Sequence, residues 1–427
     1  AQFVLRDDAA VTGRFADERW ALTLNARGRV YFWGDNSALE TTLIITNCTT
    51  VWSQPYVYNE KGLGATNRET WIIGCLPRFM NSSRPMTNNV PLRIRNNVIN
   101  SSHGYFNHSG SYELYFDAPV TYYGIPGEMY LNGKVHFRGG IYREDTLGLT
   151  IRFPGANNWI EGEGVRINVA LALDYGGIFN IASTNNAWAE LINYKCTVCC
   201  HNPHVLPAGA GLRFSSGGVY RGNAVLDMNG YDQSAGKVYT GMELVDWNQY
   251  VQTVTSAIPA TFTIKSTSNM LIPLRFTGAA SLVLDAPVTL SLTNHPSTTT
   301  GTLEVRQGTV KLLSGAGWTA VTNVVVAGGT LAAGPSVGAT AFGSEQGKSD
   351  AVMRVASGGV VEIAEGETAY VLNLIVTENG KETYKNVGIY GGVDAGLDAA
   401  HTLSCLAGKG RLHVQNNPHQ GTMIIVH

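Results

Sequence analysis

The sequence is poor in charged residues and in the residues that favour helices. Charged side chains make up 15% of its 427 positions, and the formal net charge is −2. A chain of this kind offers neither a basic face for nucleic acid nor an acidic disordered tail. Helix-favouring Glu, Lys and Gln are sparse, whereas glycine is abundant at 49 residues, which is typical of a β-rich chain with many tight turns.

Several functional signals are also missing from the sequence. No apolar run approaches the roughly 20 residues that a membrane-spanning helix needs. We expect no signal peptide, so that AQFVLRDD at residues 1–8 is either a mature end or the boundary of a longer chain. A glycine-rich calcium nonapeptide, a phosphate loop and a G-x-S-x-G nucleophile elbow are absent. We therefore predict no cofactor and no enzymatic activity.

What the sequence does contain is a regular alternation of apolar and polar residues, clearest over 301–363. Because alternate residues of a strand point to the same side, each short segment there has one apolar face. Gln307-Gly308 is predicted to separate the first two strands. The predicted inward positions are Leu303, Val305, Val310, Leu312, Val324, Val326, Leu331, Met353, Val355, Val361 and Ile363.

These short units cannot bury an apolar face alone, but they can when each stacks on the one before it. The pattern predicts an all-β fold, a β-solenoid with coils of roughly 20–25 residues; a set of β-sandwiches is the alternative. We expect a β-rich region with long loops at 1–110, the regular solenoid at 111–415 and a strand or tail at 416–427. A marginal helix is predicted at 186–195, an irregular excursion at 394–408 and a hairpin turn at Asn379-Gly380.

The order of several motifs carries a resemblance to a known family. AVLDMNGYDQSAGKV (224–238), IPATFTIKST (258–267), GAASLVLDAPVTLSLTN (278–294) and GTLEVRQGTVKL (301–312) follow one another, and the segment 371–414 ends in G-x-G-x-L-x-V. Together they resemble the passenger-associated β-strand repeats of autotransporter-like surface proteins of Gram-negative and related bacteria, over residues 212–415. The resemblance implies a right-handed parallel β-helix.

The chain departs from that family at its end. True autotransporters finish in a membrane barrel of amphipathic strands. Here the solenoid pattern continues to within a dozen residues of GTMIIVH at 421–427, and no barrel fits into the sequence. We therefore expect this chain to use some other export route.

The segment KCTVCCHNPH at 195–204 concentrates thiols and imidazoles. Such groups can hold zinc or copper, which makes Cys196, Cys199, Cys200, His201 and His204 metal candidates. A related C-x-x-x-C-H arrangement is one residue longer than the haem-attachment motif. The simpler interpretation for an exported protein is disulfide bonding. The disulfide candidates are Cys48, Cys75, Cys196, Cys199, Cys200 and Cys405.

Acid pairs that could serve polysaccharide cleavage are few. Glu161 and Glu163 alternate in WIEGEGVRI with Arg166 nearby, so a strand there would place both carboxylates on one face. Arg143-Glu144-Asp145 are consecutive, which predicts a solvated loop. An exposed polar face also explains the first pair. Glycosylation sequons begin at Asn47, Asn81, Asn100 and Asn107.

The sequence as a whole favours an extracellular or cell-surface structural and adhesive protein of bacterial type. Open solenoid ends expose unpaired strand edges, so we expect head-to-tail assembly into a fibre through residues 1–12 and 412–427. Surface glycans or matrix polymers are further expected partners, whereas nucleic acid is not. The alternatives are a carbohydrate-active β-helix enzyme (polysaccharide lyase or glycoside hydrolase) and a metal-binding surface protein built on 196–204.

Overall fold

Almost every element of this protein is a β-strand. The computed structural model describes residues 2–416 except 6–8, 12–21, 27–28, 40, 47–54, 75–76, 81–83, 96–111, 124–127, 132, 154–156, 217–221, 244–245 and 345. The chain divides into two compact units, Ala1–Ala210 and Gly211–His427. Within the described residues, no helix has the length and apolar character needed to cross a membrane.

In the first unit, the described residues form twenty-two strands. They are β1 (Gln2–Leu5), β2 (Ala9–Val11), β3 (Leu22–Ala26), β4 (Val30–Phe32), β5 (Leu43–Thr46), β6 (Pro55–Val57), β7 (Thr70–Ile73), β8 (Arg78–Phe79), β9 (Met86–Asn88), β10 (Leu92–Arg95), β11 (Leu114–Phe116), β12 (Val120–Tyr123), β13 (Glu128–Tyr130), β14 (Val135–Phe137), β15 (Ile141–Arg143), β16 (Leu149–Arg152), β17 (Asn157–Ile160), β18 (Val165–Arg166), β19 (Ala170–Asp174), β20 (Ile178–Ile181), β21 (Glu190–Asn193) and β22 (Thr197–Cys200).

The second unit continues with longer strands and ends in short ones. They are β23 (Gly211–Ser216), β24 (Ala224–Asp227), β25 (Gln233–Ala235), β26 (Lys237–Gly241), β27 (Gln252–Ile264), β28 (Met270–Ile272), β29 (Leu274–Leu292), β30 (Thr302–Leu312), β31 (Asn323–Val326), β32 (Thr330–Ala333), β33 (Val352–Val355), β34 (Val360–Ile363), β35 (Thr368–Val371), β36 (Asn373–Glu378), β37 (Lys381–Tyr384), β38 (Gly388–Tyr390), β39 (Leu406–Ala407) and β40 (Arg411–Val414). Short 3-10 helices occupy Gly338–Thr340 and Val393–Ala395.

Parallel pairing between distant strands organises the first unit. An eight-stranded sheet has the order β1-β3-β5-β7-β10-β12-β15-β18, and every pairing in it is parallel. Strands β13-β16-β19-β21 form a second parallel series, and β9-β11-β14-β17-β20-β22 form a third. From β12 to β20 the chain visits the three series in a fixed order, so each strand lies on its equivalent from the preceding repeat.

Inward side chains of equivalent strands form continuous apolar rows. Leu92, Val120, Ile141 and Val165 are in register on neighbouring strands, and all four are buried. Phe116 stacks on Phe137 of the next repeat with ring centroids 5.2 Å apart. Burying one such side chain stabilises the fold by about 1.5–3 kcal/mol, and an aromatic pair adds about 0.5–1.5 kcal/mol. Their sum over many repeats stabilises the stack.

The second unit confirms the alternation seen in the sequence. In one row Leu284 pairs with Val305, Val305 with Val326 and Val326 with Val355, and all are buried. All eleven positions predicted to face inward are at most 1% exposed. One detail differs, because the two strands predicted on either side of Gln307-Gly308 form a single strand, β30, whose register with β29 shifts at this point.

Two other local predictions have different outcomes. The residues 186–195 do not form the predicted helix, since Glu190–Asn193 is strand β21, paired in parallel with β19. Backbone pairing with a neighbouring repeat outweighs a helix that Asn186 and Asn193 already weaken. Asn379-Gly380, by contrast, forms the predicted hairpin turn between β36 and β37, with φ angles of 54° and 77°.

Antiparallel strands end the parallel series of the second unit. Strand β40 pairs with β35 on one side and, antiparallel, with β38 on the other. Strand β36 is likewise held between β33 and the antiparallel β37. The RLHVQ segment was predicted to offer a strand to a neighbouring copy, but both edges of its strand β40 are already occupied. The other predicted joining residues at 417–427, together with 1, 6–8 and 12, lie outside the described residues.

We predict that position 308 requires glycine for two reasons, its positive φ and the close approach of neighbouring backbone. Its φ is 69°, and an added Cβ would lie 2.2 Å from Val288 O and 2.3 Å from Ala286 O. Gly366 has a similar φ of 80° with open space around it. Gly366→Ala should lower the free energy of unfolding by about 1 kcal/mol, and Gly308→Ala by about 3 kcal/mol, in denaturant titrations. Equal losses would show that the contact is unimportant.

Candidate functional site

The thiols and imidazoles of 196–204 do not converge on one point. Cys200 faces inward from β22 and is buried, whereas the adjacent Cys199 is half-buried on the outward face. His201 lies with Nε2 2.8 Å from Asn180 Oδ1, and His204 is exposed in a turn. Among the described residues, no group of three or more His, Cys, Asp or Glu side chains is placed to hold a metal ion.

The disulfide candidates that the structure describes are not joined to one another. No disulfide joins the cysteines that it describes, and Cys196, Cys199, Cys200 and Cys405 carry thiols. In the register with β20, the neighbours of Cys199 and Cys200 are Asn180 and Ile181, so the preceding repeat brings no cysteine beside them. The remaining disulfide and glycosylation candidates lie outside the described residues: Cys48, Cys75, Asn47, Asn81, Asn100 and Asn107.

Cys196 is buried, and its backbone is held by hydrogen bonds to the Asn193 side chain. Its backbone N–H donates to Asn193 Oδ1 at 2.9 Å, and Asn193 Nδ2 donates back to the Cys196 carbonyl at 3.0 Å. Burial raises the pKa of the Cys196 thiol to about 12. Thiolates rather than thiols attack electrophiles and bind metals, so Cys196 is inert in the folded protein near neutral pH.

The acid pair predicted for glycoside cleavage is not on a strand. Glu161 and Glu163 flank Gly162 in the turn between β17 and β18. Glu161 accepts a hydrogen bond from Arg138 Nε at 3.1 Å and lies 3.3 Å from His136 Nδ1, whereas Glu163 is exposed. Arg166 follows on β18. Because the two carboxylates border a turn, strand alternation does not place them on one face.

A column of aromatic side chains lies on the outward face of the third parallel series of the first unit. Tyr115, His136 and Trp159 are in register on β11, β14 and β17. Their ring centroids are 4.6 and 5.9 Å apart, and His201 extends the column at 4.5 Å from Trp159. The inner rings cover one another's faces, so the column stabilises the stack and leaves mainly ring edges for a ligand.

A cleft on the outward face of the eight-stranded sheet is the best candidate for binding. It has a volume of about 460 Å³, and we call it the charged cleft. The strand register places one row of outward side chains along this face. The row consists of Arg93, Thr121, Tyr142 and Arg166, which are neighbours on β10, β12, β15 and β18. Residues that line the charged cleft include Glu69, Thr121, Tyr142, Glu144, Arg166 and Asn168.

One end of the charged cleft is fixed by an ion-pair network around Arg93. Arg93 Nη2 lies 2.6 Å from Glu144 Oε1, and Arg93 Nε lies 3.3 Å from Glu69 Oε2. The guanidinium also lies 5.3 Å from the ring centroid of Trp71, whose Nε1 donates to Glu69 at 3.0 Å. Two carboxylates are therefore held by a single guanidinium, although 51 residues separate Arg93 from Glu144.

Two other arginines on this face are exposed and take no part in the ion pairs found among the described residues. They are Arg95, beside Tyr123 on the neighbouring strand, and Arg166 at the far end of the row. Burial raises the pKa of the Tyr123 hydroxyl, against the opposing effect of Arg95 and Arg93. The arrangement offers guanidinium donors, hydroxyl groups and the half-exposed Tyr142 ring to a ligand.

Arg143, by contrast, is directed into the fold. Its side chain is fully buried, with Nη2 3.1 Å from Asp145 Oδ2 and the guanidinium 5.8 Å from the Tyr122 ring centroid. The sequence predicted a solvated loop for 143–145. The alternation along β15 places Arg143 inward and leaves Glu144 outward, so consecutive residues have opposite environments.

Sequence reasoning missed most of the charged cleft. The residues that line it or flank it lie on or next to three strands, β7, β10 and β15, that are separated by tens of residues: Glu69, Trp71, Arg93, Arg95 and Tyr142. Their only local signal is alternation, as in LRIR of β10 and IYR of β15. Without the register between strands, nothing in the sequence shows that these outward positions are neighbours.

Comparison of the chain with protein-family models, with curated proteins and with solved structures gives no match. The function must be inferred from the arrangement of its own residues.

We predict that Asp145→Asn destabilises the protein while Glu144→Gln does not. Losing the Asp145 charge leaves the Arg143 guanidinium buried without its compensating anion, which costs about 3 kcal/mol. The Glu144 side chain is 57% exposed, and an exposed ion pair contributes less than about 1 kcal/mol. Denaturant titration measures both. Similar free energies of unfolding for the two variants would contradict the assigned role of Asp145.

We also predict that alkylation distinguishes the three neighbouring thiols. In the folded protein iodoacetamide should modify Cys199, while Cys196 and Cys200 react only after denaturation, because both are buried. Cys196 should remain slow as the pH rises through 9, its ordinary thiol value, because its folded pKa is about 12. Fragment-ion mass spectrometry locates the label, and the denatured protein is the control. Equal labelling of the three thiols would contradict the burial pattern.

Proposed function

We propose that the chain is an extracellular structural and adhesive protein of bacterial type, and that its two units are right-handed parallel β-helices. The observation that carries this proposal is the fixed order in which β12 to β20 visit three parallel series. A chain that returns to the same series at each repeat, in the same direction, follows the path of a solenoid. Right-handed crossovers are the rule for parallel strands.

Such an arrangement suits a protein that works outside the cell. Each repeat satisfies the backbone groups of the one before it, so unpaired strand edges are confined to the ends. Backbone that is hydrogen-bonded within a ladder is protected from proteases as long as the strand does not open. The resemblance of 212–415 to passenger-associated repeats supports the same location. Length and resistance, rather than catalysis, are the properties that we assign to this scaffold.

We further propose that copies join end to end, with the last strands of the second unit forming one side of the joint. Strand β37 is exposed along its whole length, and β38 forms the edge of its sheet. Nearby apolar side chains are unusually exposed: Val387 at 49%, Ile389 at 40% and Val393 at 81%. A second copy that covers these residues would remove apolar surface from water and could pair with the antiparallel edges.

A carbohydrate-active enzyme is the second candidate function. The observation that favours it is the presence of two carboxylates, Glu69 and Glu144, on the charged cleft. Both carboxylates contact the Arg93 guanidinium, so each already has an ion-pair partner within the protein. Incubation with acidic polysaccharides, followed by assays for new reducing ends and unsaturated products, tests this function directly.

We predict that Val387→Glu combined with Val393→Glu abolishes assembly of the purified chain. Negative-stain electron microscopy and light scattering should show concentration-dependent oligomers for the wild type and monomers for the variant, because charge at the joint opposes burial. The control is Ile258→Glu, which changes a 60% exposed apolar residue elsewhere in the second unit. A wild type that stays monomeric at all concentrations, or assembly that survives the double change, would refute the proposed joint.

A further inference from the structure

We propose that the charged cleft binds a carboxylated polysaccharide, with Arg166 holding a carboxylate and Tyr142 packing against a sugar ring. This inference names the ligand of the adhesive function proposed above and rests on that function.

Charge complementarity is the first argument for an anionic ligand. Of the arginines on this face, Arg93 is already compensated by Glu69 and Glu144, and Arg143 is buried with Asp145. Arg95 and Arg166 remain exposed, and neither belongs to an ion pair among the described residues. An unpaired guanidinium presents donors in a planar fork that matches a carboxylate with two parallel hydrogen bonds.

The spacing of the contact groups is the second argument. Arg93, Thr121, Tyr142 and Arg166 lie on successive strands of one parallel sheet. Neighbouring strands are ~4.8 Å apart, so the row from Arg93 to Arg166 extends over roughly 14 Å. One pyranose residue spans about one strand spacing, and a saccharide that crosses the strands can therefore place successive sugars over successive side chains.

The mixture of polar groups is the third argument. Sugar hydroxyls both donate and accept hydrogen bonds, and the charged cleft supplies carboxylate acceptors at Glu144 as well as amide and hydroxyl groups at Asn168 and Thr121. The apolar face of a pyranose ring packs on an aromatic ring, which the half-exposed Tyr142 provides. A volume of about 460 Å³ fits a few sugar units.

A peptide strand fits the same surface less well. Extended peptides bind sheets chiefly by pairing with an open edge. The charged cleft lies on the face of the sheet, where β12 and β15 already have a neighbour on each side. A ligand there can contact side chains only. Such contacts suit the hydroxyl groups of a saccharide better than a peptide backbone, which needs N–H and C=O groups as hydrogen-bond partners.

The test is binding of the purified full chain to octasaccharides of polygalacturonate, alginate and hyaluronate, measured by isothermal titration calorimetry. We expect at least one of them to bind, with an affinity that falls as salt is added, and the fully methyl-esterified form of that oligosaccharide to bind about tenfold more weakly or not at all. Binding of none of the three, or equal binding of the neutral ester, would overturn the proposal.

Variants locate the ligand. Arg166→Ala should weaken binding about tenfold, Arg166→Lys should restore only part of the affinity, and Tyr142→Phe should bind nearly as well as wild type while Tyr142→Ala does not. The matched control is Arg354→Ala, since Arg354 is an exposed outward residue of a parallel strand in the second unit. Unchanged affinity in Arg166→Ala, with an unchanged melting temperature, would overturn the assignment.

The outcome can be separated from that of the structural proposal. Protease resistance and electron microscopy of the same preparations report on the scaffold and on its assembly, and neither depends on the ligand. A stable, assembling protein that ignores all three saccharides would refute the charged cleft as a glycan site and leave the scaffold function standing. A wild-type protein that proteases degrade readily would instead refute the proposed scaffold function.

Discussion

Parallel hydrogen bonding between equivalent strands is the interaction on which everything else in this protein depends. In the second unit, for example, Thr302 begins β30 and lies 21 residues after Ser281 of the paired strand β29. Its N–H donates to the Ser281 hydroxyl at 3.0 Å, which adds to the backbone hydrogen bonds between the two strands. Every such pairing fixes the register of two strands. Once the register is fixed, the inward side chains form continuous buried rows, and their removal from water stabilises the fold.

The same register creates the surface. Outward residues on successive strands form rows in which side chains from distant parts of the chain are neighbours. Arg93 reaches Glu144 in this way, and Tyr115, His136 and Trp159 form a column of rings. A parallel sheet thus converts a weak local pattern into an ordered array of contacts, without any cluster of functional residues in the sequence.

Local preferences were overruled where the ladder required it. The segment 186–195 has a weak helical pattern, yet Glu190–Asn193 pairs with β19 because a strand there satisfies backbone groups of two repeats. Gln307-Gly308 reads as a break between strands, but the glycine lets the chain shift register within one strand. Glu161 and Glu163 read as a strand face and instead border a tight turn at Gly162. In each case the deciding contacts are with a neighbouring repeat.

The sequence by itself determined the all-β character, the inward positions such as Leu303 and Val355, and the hairpin at Asn379-Gly380. These follow from alternation and from the left-handed backbone of Asn and Gly, which are local properties. Only the tertiary structure decided that β37 and β38 pair with the last parallel strands, that Arg143 is buried beside Asp145, and that Glu144, Tyr142 and Arg166 share a cleft. Those features depend on which strands pair and in which register, and pairing between distant segments leaves no signature within any one of them.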